Sequence, residues 1–474
     1  MAGLKPKVVV LGGGVAGLSA ALHVLRTGEF EVDLYEGRDR VGGLATSYQL
    51  GPATFDFGPH AFHSQQPPII DFFCGLMRGE FYEIQKDVAI QFDGRLYPYP
   101  LNPIKALRNM SLTRAARCGF SYLWNVATNH RSLDSLRTSE EFFIRNYGRE
   151  LYRIFFEGYT HKVWGIHPRD LSAEFIKNRL PPTSLLRIAW TALTGIDIKV
   201  KSPNQVPLKL RIFYPKGGSI RFPLAMAREV QARGGRIKLG TRMEAVHLEA
   251  GRVVGVTLRD PSGPRRVPCD VLISTVPLPD LVKSLEPPPP PEMVESAGRL
   301  VFRPLLIACL WIEGPPVFPY QTIYYTNRIF NRLAQMNSYS PETVPAGTCG
   351  VTAELTCSVG DGLWTMDERT LIRRVVEDME AEKLVSADRV KDAMLLREIH
   401  GYPIYDLSFE EHLVRLRQAV HAVPNLYVSG RQGMFNYAQM HYGVSSGMAV
   451  AQHLLQGGEK PPLPARGTED ALFA

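Results

Sequence analysis

The pattern of apolar and polar positions near the N-terminus predicts a strand, a helix and a second strand in quick succession. A short apolar run covers 8–11, an apolar helix follows over 18–25, and 29–36 ends as a second buried strand. The uncharged stretch 8–25 has the composition of a membrane span or signal sequence. Its glycines at 12–14 lie where a turn is needed, so we predict one βαβ unit instead.

Farther along the chain the pattern predicts an inserted helical region and further strands. Asp93-Gly94 separates two alternating segments and indicates a hairpin, whereas 104–195 has helical spacing punctuated by cations. Basic amphipathic helices bind membranes in some proteins, but a charged outer face over a packed inner face is commoner, and we expect packing here. The segment 217–257 reads as a helix followed by strands, and the prolines at 287–291 as a stiff extended connector.

Length and charge narrow the class of protein. The 474 residues exceed what one core fills, since single cores stop growing near about 250–300 residues. The net charge of +7 comes from scattered cations, which argues against nucleic-acid binding and suits an anionic substrate. Six cysteines without a CxxC pair favour a reducing cytoplasm over a disulfide framework or a zinc site.

The first motif with chemical meaning is Gly12-x-Gly14-x-x-Gly17, placed between the predicted strand and helix. Gly12 permits the tight turn, Gly14 lets the backbone approach a pyrophosphate, and Gly17 allows close helix packing. Glu36 follows nineteen residues after Gly17, at the end of the next strand, where it can accept hydrogen bonds from a ribose. Together these features predict dinucleotide binding and leave the identity of the dinucleotide open.

The continuation of this motif resembles the FAD-dependent amine oxidase and protoporphyrinogen oxidase group, in which an arginine and a glycine pair follow the acidic residue. The resemblance implies FAD as cofactor, with Arg40 and Gly42-Gly43 along its pyrophosphate and ribityl chain. It also implies cofactor contacts for five residues around them, namely Val15, Ala16, Gly37, Arg38 and Leu44.

A second segment, Gly58-Pro59-His60-Ala61-Phe62-His63, resembles the GxHxFH segment of UDP-galactopyranose mutases. That resemblance implies that Gly58, Pro59 and His60 border the flavin ring and that His60 and His63 face it as candidate catalytic groups. Two histidines three apart also suit a metal pair, but the sequence shows no third ligand at suitable spacing, and we predict no metal site.

The most discriminating string is Gly158-Tyr159-Thr160-His161-Lys162-Val163-Trp164-Gly165, with Arg179 beyond it. It resembles the GYTxKxWG block of the mutases and of protoporphyrinogen-oxidase-like proteins of bacterial surface-sugar pathways. The resemblance implies substrate contacts for Tyr159, Lys162, Trp164 and Arg179, and Arg303 would correspond to a second substrate arginine. An aromatic core corner is the alternative interpretation of Trp164.

Two more segments share features with these groups. FYPKGG (213–218) and the following Glu244-Ala245-Val246 resemble the oxidases, in which Val246 would offer its backbone to the adenine. The segment 402–437 resembles the C-terminal flavin motif of both groups. It implies that Gly430, Arg431 and Tyr437 contact the cofactor and that Tyr405 and Asn436 contact the substrate.

These features predict an α/β protein with a Rossmann-type, glutathione-reductase-like FAD-binding domain, an interleaved substrate-binding sheet and an inserted helical lobe. The predicted FAD domain comprises 1–65, 213–280 and 420–456, and the mixed-sheet domain comprises 66–103 and 281–419. The helical lobe spans 104–212, and a loose tail spans 457–474.

The motifs leave the reaction open between two classes of flavoenzyme. One is a flavin N5-dependent enzyme acting on a nucleotide sugar or similar anionic substrate, as in the mutases. The other is an oxidase or desaturase that abstracts hydride, and a flavin-binding protein without catalysis is a third possibility. We expect the first, and the sequence does not indicate an oligomeric state.

Overall fold

A computed structural model describes residues 5–98, 110–177, 212–457 and Lys460. Its strands, in chain order, are β1 (Lys7–Leu11), β2 (Glu31–Tyr35), β3 (Ser47–Leu50), β4 (Ala53–Asp56), β5 (Phe81–Ile84), β6 (Val88–Phe92), β7 (Arg95–Pro98), β8 (Ile212–Pro215), β9 (Arg236–Lys238), β10 (Arg242–Glu249), β11 (Arg252–Asp260), β12 (Gly263–Pro268), β13 (Val271–Ser274), β14 (Leu285–Glu286), β15 (Phe302–Glu313), β16 (Thr322–Tyr325), β17 (Arg332–Gln335), β18 (Thr348–Thr356), β19 (Val390–Pro403) and β20 (Leu426–Val428).

The α-helices of the described ranges, numbered in the same way, are α1 (Val15–Leu25), α2 (Pro67–Met77), α3 (Leu112–Thr128), α4 (Ser139–Tyr147), α5 (Arg149–Leu151), α6 (Gly158–Trp164), α7 (Ala173–Lys177), α8 (Arg221–Ala232), α9 (Leu278–Lys283), α10 (Pro291–Arg299), α11 (Glu368–Ala381), α12 (Phe409–Ala422), α13 (Gly430–Gly433) and α14 (Met440–Gln456). A π-helical turn, Tyr152–Glu157, joins α5 to α6. Within these ranges no helix combines the length and the apolarity needed to cross a bilayer.

The first layer is a parallel five-stranded sheet in the order β20-β13-β1-β2-β9. The predicted βαβ unit is confirmed, because α1 connects β1 to β2 and packs on the sheet. Apolar side chains of β1 and α1 are fully buried, which explains why both segments read as continuous apolar runs. Helices α8 and α14 pack on the same core as α1.

The second layer is a mixed seven-stranded sheet in the order β19-β15-β18-β17-β16-β6-β7. Its central antiparallel strands β15 and β18 are buried on both faces, and α11 covers one of these faces. The predicted hairpin at Asp93-Gly94 joins β6 to β7 at the edge of this sheet, with φ values of +52° and +74° at the two turn residues. Positive φ at both residues is what an Asp-Gly turn supplies.

The described part of the predicted lobe is helical from α3 to α7. Helix α4 begins with a capping box, in which the Thr138 hydroxyl accepts the Glu141 N–H at 3.1 Å and the Glu141 carboxylate accepts the Thr138 N–H at 3.2 Å. Most of the predicted tail and the segment 178–211, which includes Arg179, lie outside the described residues.

One sequence expectation about local structure is wrong. The outer face of α3 is apolar rather than charged, with Phe120 and Trp124 70% and 63% exposed. The proline run does connect two elements, because β14 ends directly before Pro287 and Pro291 is the first residue of α10. Proline suits the first turn of a helix, where its missing N–H has no intrahelical partner.

Candidate functional site

The loop after β1 is shaped by glycines that leave no room for a side chain. Gly12 has a φ of +100°, and its N–H donates to the Tyr35 carbonyl at 2.8 Å. A Cβ on Gly12 would overlap the Thr275 hydroxyl, and a Cβ on Gly17 would overlap the Gly12 carbonyl oxygen. The first turn of α1 is therefore held tightly against the carboxyl end of β1.

Gly14 differs from its neighbours because its Cβ position faces open space. A Cβ there would meet only the Cα of Gly43, at 3.8 Å, and the φ of Gly14 is an ordinary −71°. Helix α1 starts at Val15 and Ala16 without a side-chain cap and without an acidic residue in its first turn. This end of α1 thus favours an anion that approaches along the backbone at Gly14.

The carboxylate of Glu36 is fixed by the backbone at the end of β2. Its two oxygens accept the N–H groups of Gly13, at 2.6 Å, and Arg38, at 2.8 Å. The N–H of Gly42 donates to the Gly13 carbonyl at 2.8 Å, so the second glycine pair lies directly beside the first loop. Gly37 lies against Arg242, where a Cβ would come within 3.4 Å of the arginine Cβ.

The C-terminal motif closes on the same first turn of α1. Gly430 has a φ of +79°, and a Cβ there would come within 2.6 Å of the Ala16 Cβ. A Cβ on Gly443 would lie 3.3 Å from the Val15 side chain, and one on Gly447 would lie 2.6 Å from the Ala16 carbonyl oxygen. Regions separated by more than 400 residues in the chain therefore meet at one crevice.

The flanking arginines of the first motif have protein partners. Arg38 forms an ion pair with the buried Glu398, and Arg40 donates to Asp39 at 2.9 Å and lies 4.6 Å above the Tyr48 ring. Leu44, beyond the glycine pair, is partly exposed. Their predicted contacts with the cofactor stay predictions.

Val246 is fully buried in β10, and its N–H donates to the Ser284 carbonyl at 2.8 Å. That N–H is used within the fold, so an adenine contact at Val246 would have to use another backbone atom. The contact itself stays a prediction.

A second group of polar side chains lies on the strands of the mixed sheet. Arg332 of β17 stands directly opposite Glu354 of β18. The Arg332 Nε donates to Glu354 at 2.9 Å, and the Tyr402 hydroxyl donates to the other carboxylate oxygen at 2.8 Å. Burial opposes the charge of Arg332, but the Glu354 carboxylate outweighs burial and raises the pKa of Arg332 above its ordinary value.

Tyrosines surround this ion pair. The Tyr159 ring packs edge-on against the Tyr324 ring at 5.9 Å, and the Tyr402 and Tyr437 rings are 5.1 Å apart. Burial raises the pKa of Tyr159 well above its ordinary value, and Tyr324 adds to the shift while Arg332 opposes it. The Tyr159 phenol is therefore a neutral hydrogen-bonding group at physiological pH.

His60 joins the two halves of the site. Its Nδ1 lies 2.9 Å from the Gly58 carbonyl, and a Cβ on Gly58 would meet Arg332 at 3.4 Å. Burial lowers the pKa of His60 to about 4; the hydrogen bond to Gly58 opposes this shift, and Arg431 and Arg332 add to it. His60 is thus neutral at pH 7, and because Nδ1 donates to a carbonyl, its Nε2 is an acceptor.

The His63 ring lies 5.3 Å from that of His441 at the start of α14, and its predicted contact with the flavin stays a prediction. Pro59 is partly exposed beside His60. Among the described residues no three His, Cys, Asp or Glu side chains form a group that could hold a metal ion.

Arg431 places a second guanidinium beside the tyrosines. Its Cζ lies 4.2 Å from the Tyr437 ring centre and 5.1 Å from that of Tyr402, which is cation–π distance. Its Nη2 donates to the Gly401 carbonyl at 2.8 Å, and its buried Nε has no hydrogen-bond partner among the described residues. A donor without a partner at this depth suits an acceptor supplied by a ligand.

The predicted substrate residues of the 158–165 block are held by the protein. The Lys162 Nζ donates to the carbonyls of Arg328 and Phe330 at 2.5 and 2.6 Å, and burial lowers the pKa of Lys162 to about 8. Trp164 is 5% exposed, and its ring lies 4.1 Å from that of Phe175.

Arg303, Tyr405 and Asn436 are likewise engaged within the protein. Arg303 donates to the Ser358 hydroxyl at 2.7 Å and to the Val163 carbonyl at 3.2 Å. The Tyr405 hydroxyl accepts the Tyr437 N–H at 3.0 Å and lies 3.3 Å from the Asn436 Oδ1. Substrate contacts for these residues stay predictions.

Sequence reasoning missed Arg332, Glu354 and Tyr324 as members of the site, and it named Tyr402 only as the first residue of the C-terminal motif. The available signal was a single acidic residue, Glu354, inside the otherwise uncharged strand β18. A charged side chain in a strand that is buried on both faces needs a partner of opposite charge. A cation in an alternating strand nearby, here Arg332 of β17, was the partner to expect.

The fold and the crevice define a flavin-dependent enzyme of mixed α/β fold. The family described as flavin-containing amine oxidoreductases matches residues 15–455, and the chain belongs to this family. Its cofactor is FAD, which fits the open side of Gly14, the uncapped start of α1 and the fixed Glu36 carboxylate.

Two curated relatives are sugar mutases by name. The chain is 28% identical over 181 residues to a probable UDP-galactopyranose mutase of Klebsiella pneumoniae, covering 37% of this chain and 44% of that protein. It is 25% identical over 178 residues to a dTDP-fucopyranose mutase of Escherichia coli, covering 37% and 46%. The matches thus span less than half the length of either relative.

A solved structure of reduced UDP-galactopyranose mutase has the same fold. Its TM-score with this chain is 0.82 at 22% identity, covering 99% of this chain and 97% of that one. At this level of identity the likeness describes the fold.

Proposed function

We propose that this chain acts on a nucleotide sugar, or a similar anionic sugar-pathway substrate, through chemistry at the flavin N5, as a mutase does. One observation carries the proposal. The guanidinium groups of Arg332 and Arg431 lie near enough to act on a neutral His60, Arg431 lies on two tyrosine rings, and the nearby Glu354 carboxylate is already paired with Arg332 and Tyr402.

This charge distribution favours an anion over an amine. A protonated amine needs an unneutralised carboxylate or an aromatic cage free of cations, whereas Arg431 already lies on the faces of Tyr402 and Tyr437. A diphosphate accepts the donors that guanidinium groups offer. The mutase names of the two sequence relatives support the same substrate class.

Each residue has a definite task in this proposal. When bound, reduced FAD supplies a nucleophilic N5. Arg431 offers its Nε to an anionic acceptor, and Tyr159 offers a neutral hydroxyl beside Tyr324. His60 offers its Nε2 as an acceptor for a sugar hydroxyl, since its Nδ1 is held by Gly58. Trp164, packed behind Tyr402 at 5.5 Å, would keep that wall rigid.

We also propose a finer class for the FAD-binding domain and a cellular compartment for the protein. The parallel sheet around β1 and the antiparallel strands β10–β12 support a Rossmann-type, glutathione-reductase-like FAD domain. Six cysteines without a disulfide support a reducing cytoplasm.

A hydride-abstracting oxidase is the second candidate, because the family itself is named for amine oxidation. The two functions differ in which redox state of the flavin is active. An oxidase reduces its bound flavin when an amine or porphyrinogen is added without oxygen, whereas the proposed enzyme works only after its flavin has been reduced.

The test is to incubate the purified yellow protein anaerobically with UDP-galactose or dTDP-fucose, before and after dithionite reduction, and to separate pyranose from furanose forms by chromatography. We expect conversion only after reduction, and a large loss of conversion in Tyr159→Phe. Tyr427→Phe serves as the matched control, because the Tyr427 ring packs against His453. Bleaching of the flavin by an amine or porphyrinogen, without sugar conversion, would refute the proposal.

A further inference from the structure

Helix α3 has an apolar outer face that the rest of the described chain leaves uncovered. Leu112, Phe120, Leu123 and Trp124 are 90%, 70%, 58% and 63% exposed, and they recur at helical spacing on one side of the helix. The Phe120 and Trp124 rings lie 6.3 Å apart at an interplanar angle of 25°, which makes a flat aromatic surface. Four large apolar side chains on one exposed helix face are more than the scattered residues of an ordinary surface.

The opposite face of α3 fixes the helix to the lobe, so the exposure does not come from a loosely attached segment. Cys118, Tyr122 and Asn125 are buried, and the Asn125 side chain donates to the Arg145 carbonyl at 3.0 Å. A Cβ on Gly148 would come within 2.9 Å of the Tyr122 backbone, so the two helical segments are in close contact. The outer face is therefore presented rigidly.

Cations flank this face. The two charged residues of α3, Arg114 and Arg117, pair with Asp93 and Glu150 at 2.9 Å, but their side chains remain 46% and 72% exposed. Exposed ion pairs of this kind are weak, so both guanidinium groups can exchange partners for another anion.

The charge of the chain is concentrated in the segment that contains α3. Residues 104–212 contain 18 Lys and Arg and 8 Asp and Glu, a net charge of +10, so the rest of the chain carries −3 of the total of +7. The cations are thus not scattered evenly along the sequence, and Arg114 and Arg117 of α3 belong to its most basic part.

We propose that the outer face of α3 docks in the plane of an anionic lipid surface. Aromatic and aliphatic side chains on one face of a helix match the apolar layer of a lipid interface. The arginines beside that face match its anionic headgroups. A second copy of the chain would bring Arg114 and Arg117 of one copy close to those of the other, so like charge opposes that occupant. A nucleic acid would satisfy the cations and leave Leu112 and Phe120 in water.

The test measures sedimentation of the FAD-loaded protein with vesicles of phosphatidylcholine alone and with about a third phosphatidylglycerol. We expect binding to the anionic vesicles that weakens with added salt, and a loss of at least about tenfold in the partition coefficient for the double variant Phe120→Ser/Trp124→Ser. Arg114→Gln/Arg117→Gln should lose about fivefold for each cation removed.

The matched control is Val294→Ser/Val359→Ser, which removes two apolar side chains that are 40% and 59% exposed on other parts of the surface. It should bind vesicles as the unaltered protein does, and flavin absorbance reports that every variant is folded. A Trp124→Phe comparison adds an optical test, since only the protein with Trp124 should show a lipid-dependent blue shift at this site.

Three results would overturn the proposal. The first is no vesicle binding, or equal binding by Phe120→Ser/Trp124→Ser. The second is a dimer in light scattering, without lipid, that this double variant abolishes. The third is displacement of the protein from vesicles by single-stranded DNA, together with equal DNA binding by Phe120→Ser/Trp124→Ser. That result would show that the cations bind a nucleic acid.

Discussion

The crevice at α1 and the tyrosine–arginine cluster of the mixed sheet are built in different ways. At the crevice the shape comes from backbone, because Gly12, Gly17 and Gly447 let three segments approach to distances that a Cβ would forbid. In the cluster the shape comes from side chains, with Arg332 and Glu354 meeting across two antiparallel strands.

Because of this difference, the two halves of the site should be sensitive to different kinds of substitution. A backbone-built site fails when an atom is added, since the approach of the segments leaves no space. A charge-built site fails when an atom is removed, since its partner is left buried and unpaired. Substitutions that add or remove atoms should therefore affect the two halves in opposite ways.

The largest effect is expected for Arg332→Met, which leaves the Glu354 carboxylate buried without its cation. We expect a loss of about 3–5 kcal/mol in the free energy of unfolding, measured by urea denaturation of the FAD-loaded protein. Arg332→Met/Glu354→Leu should recover most of that stability and none of the sugar conversion. If the single variant is as stable as the parent, the ion pair is not the organising contact of the cluster.

Gly14→Val should separate folding from cofactor binding. The Gly14 Cβ position is open and its φ is ordinary, so the variant should fold, whereas the added side chain occupies the space of the cofactor. We expect FAD affinity to fall by at least about a hundredfold, or about 3 kcal/mol, and the purified protein to be colourless.

Gly17→Ala is the control for that experiment, because its Cβ would overlap the Gly12 carbonyl oxygen. It should lose folding and colour together, as seen by circular dichroism. A yellow Gly14→Val protein would contradict the placement of FAD at this loop.

His60 links the halves and should make stability depend on pH. Its pKa of about 4 in the folded protein is below the ordinary value of 6.5, so between these pH values the unfolded chain binds a proton that the native state does not. Stability should therefore fall as the pH drops from about 6.5 towards 4, by about 3 kcal/mol from this residue. His60→Asn should flatten that part of the curve.

His23, whose pKa burial also lowers to about 4, gives the parallel case outside the site. His23→Gln should flatten the curve similarly and leave sugar conversion unchanged, whereas His60→Asn should reduce conversion. An unaltered pH profile in His60→Asn would show that His60 is protonated more easily than its surroundings indicate.

The smallest effect is expected for Arg303→Lys, which tests whether Arg303 serves the fold or the substrate. Lysine keeps the charge and cannot make the paired contacts to Ser358 and Val163, so we expect a loss of about 1 kcal/mol in stability with an unchanged KM. A raised KM at unchanged stability would instead support the predicted substrate contact.

The sequence predicted the elements whose cause is local. The βαβ unit and the Asp93-Gly94 hairpin depend on residues within one turn or one strand, and both are where the pattern placed them. Glu36 could be found in the same way, because its spacing from Gly17 follows from the length of one helix and one strand.

What the sequence could not supply was the register between distant strands. Arg332 and Glu354 belong to strands whose alignment depends on the whole mixed sheet, and no spacing along the chain reveals that they face each other. Lys162 is the opposite case, a residue that the motif suggested for substrate binding. Its ammonium group donates to backbone carbonyls of the protein, which only the folded chain reveals. We did not predict the apolar outer face of α3 from the sequence, because we assumed the commoner arrangement of a charged outer face over a packed inner face.

The close crossing of α14 over α1 has a consequence for biosynthesis. Helix α1 is synthesised long before α14, yet α14 completes its surroundings, because Gly443 and Gly447 lie on Val15 and Ala16. The nascent chain therefore carries an unfinished crevice until α14 has been made. FAD must be acquired after α14 has left the ribosome, and deletion of α14 should cost the protein its colour even though the glycine motif before α1 is intact.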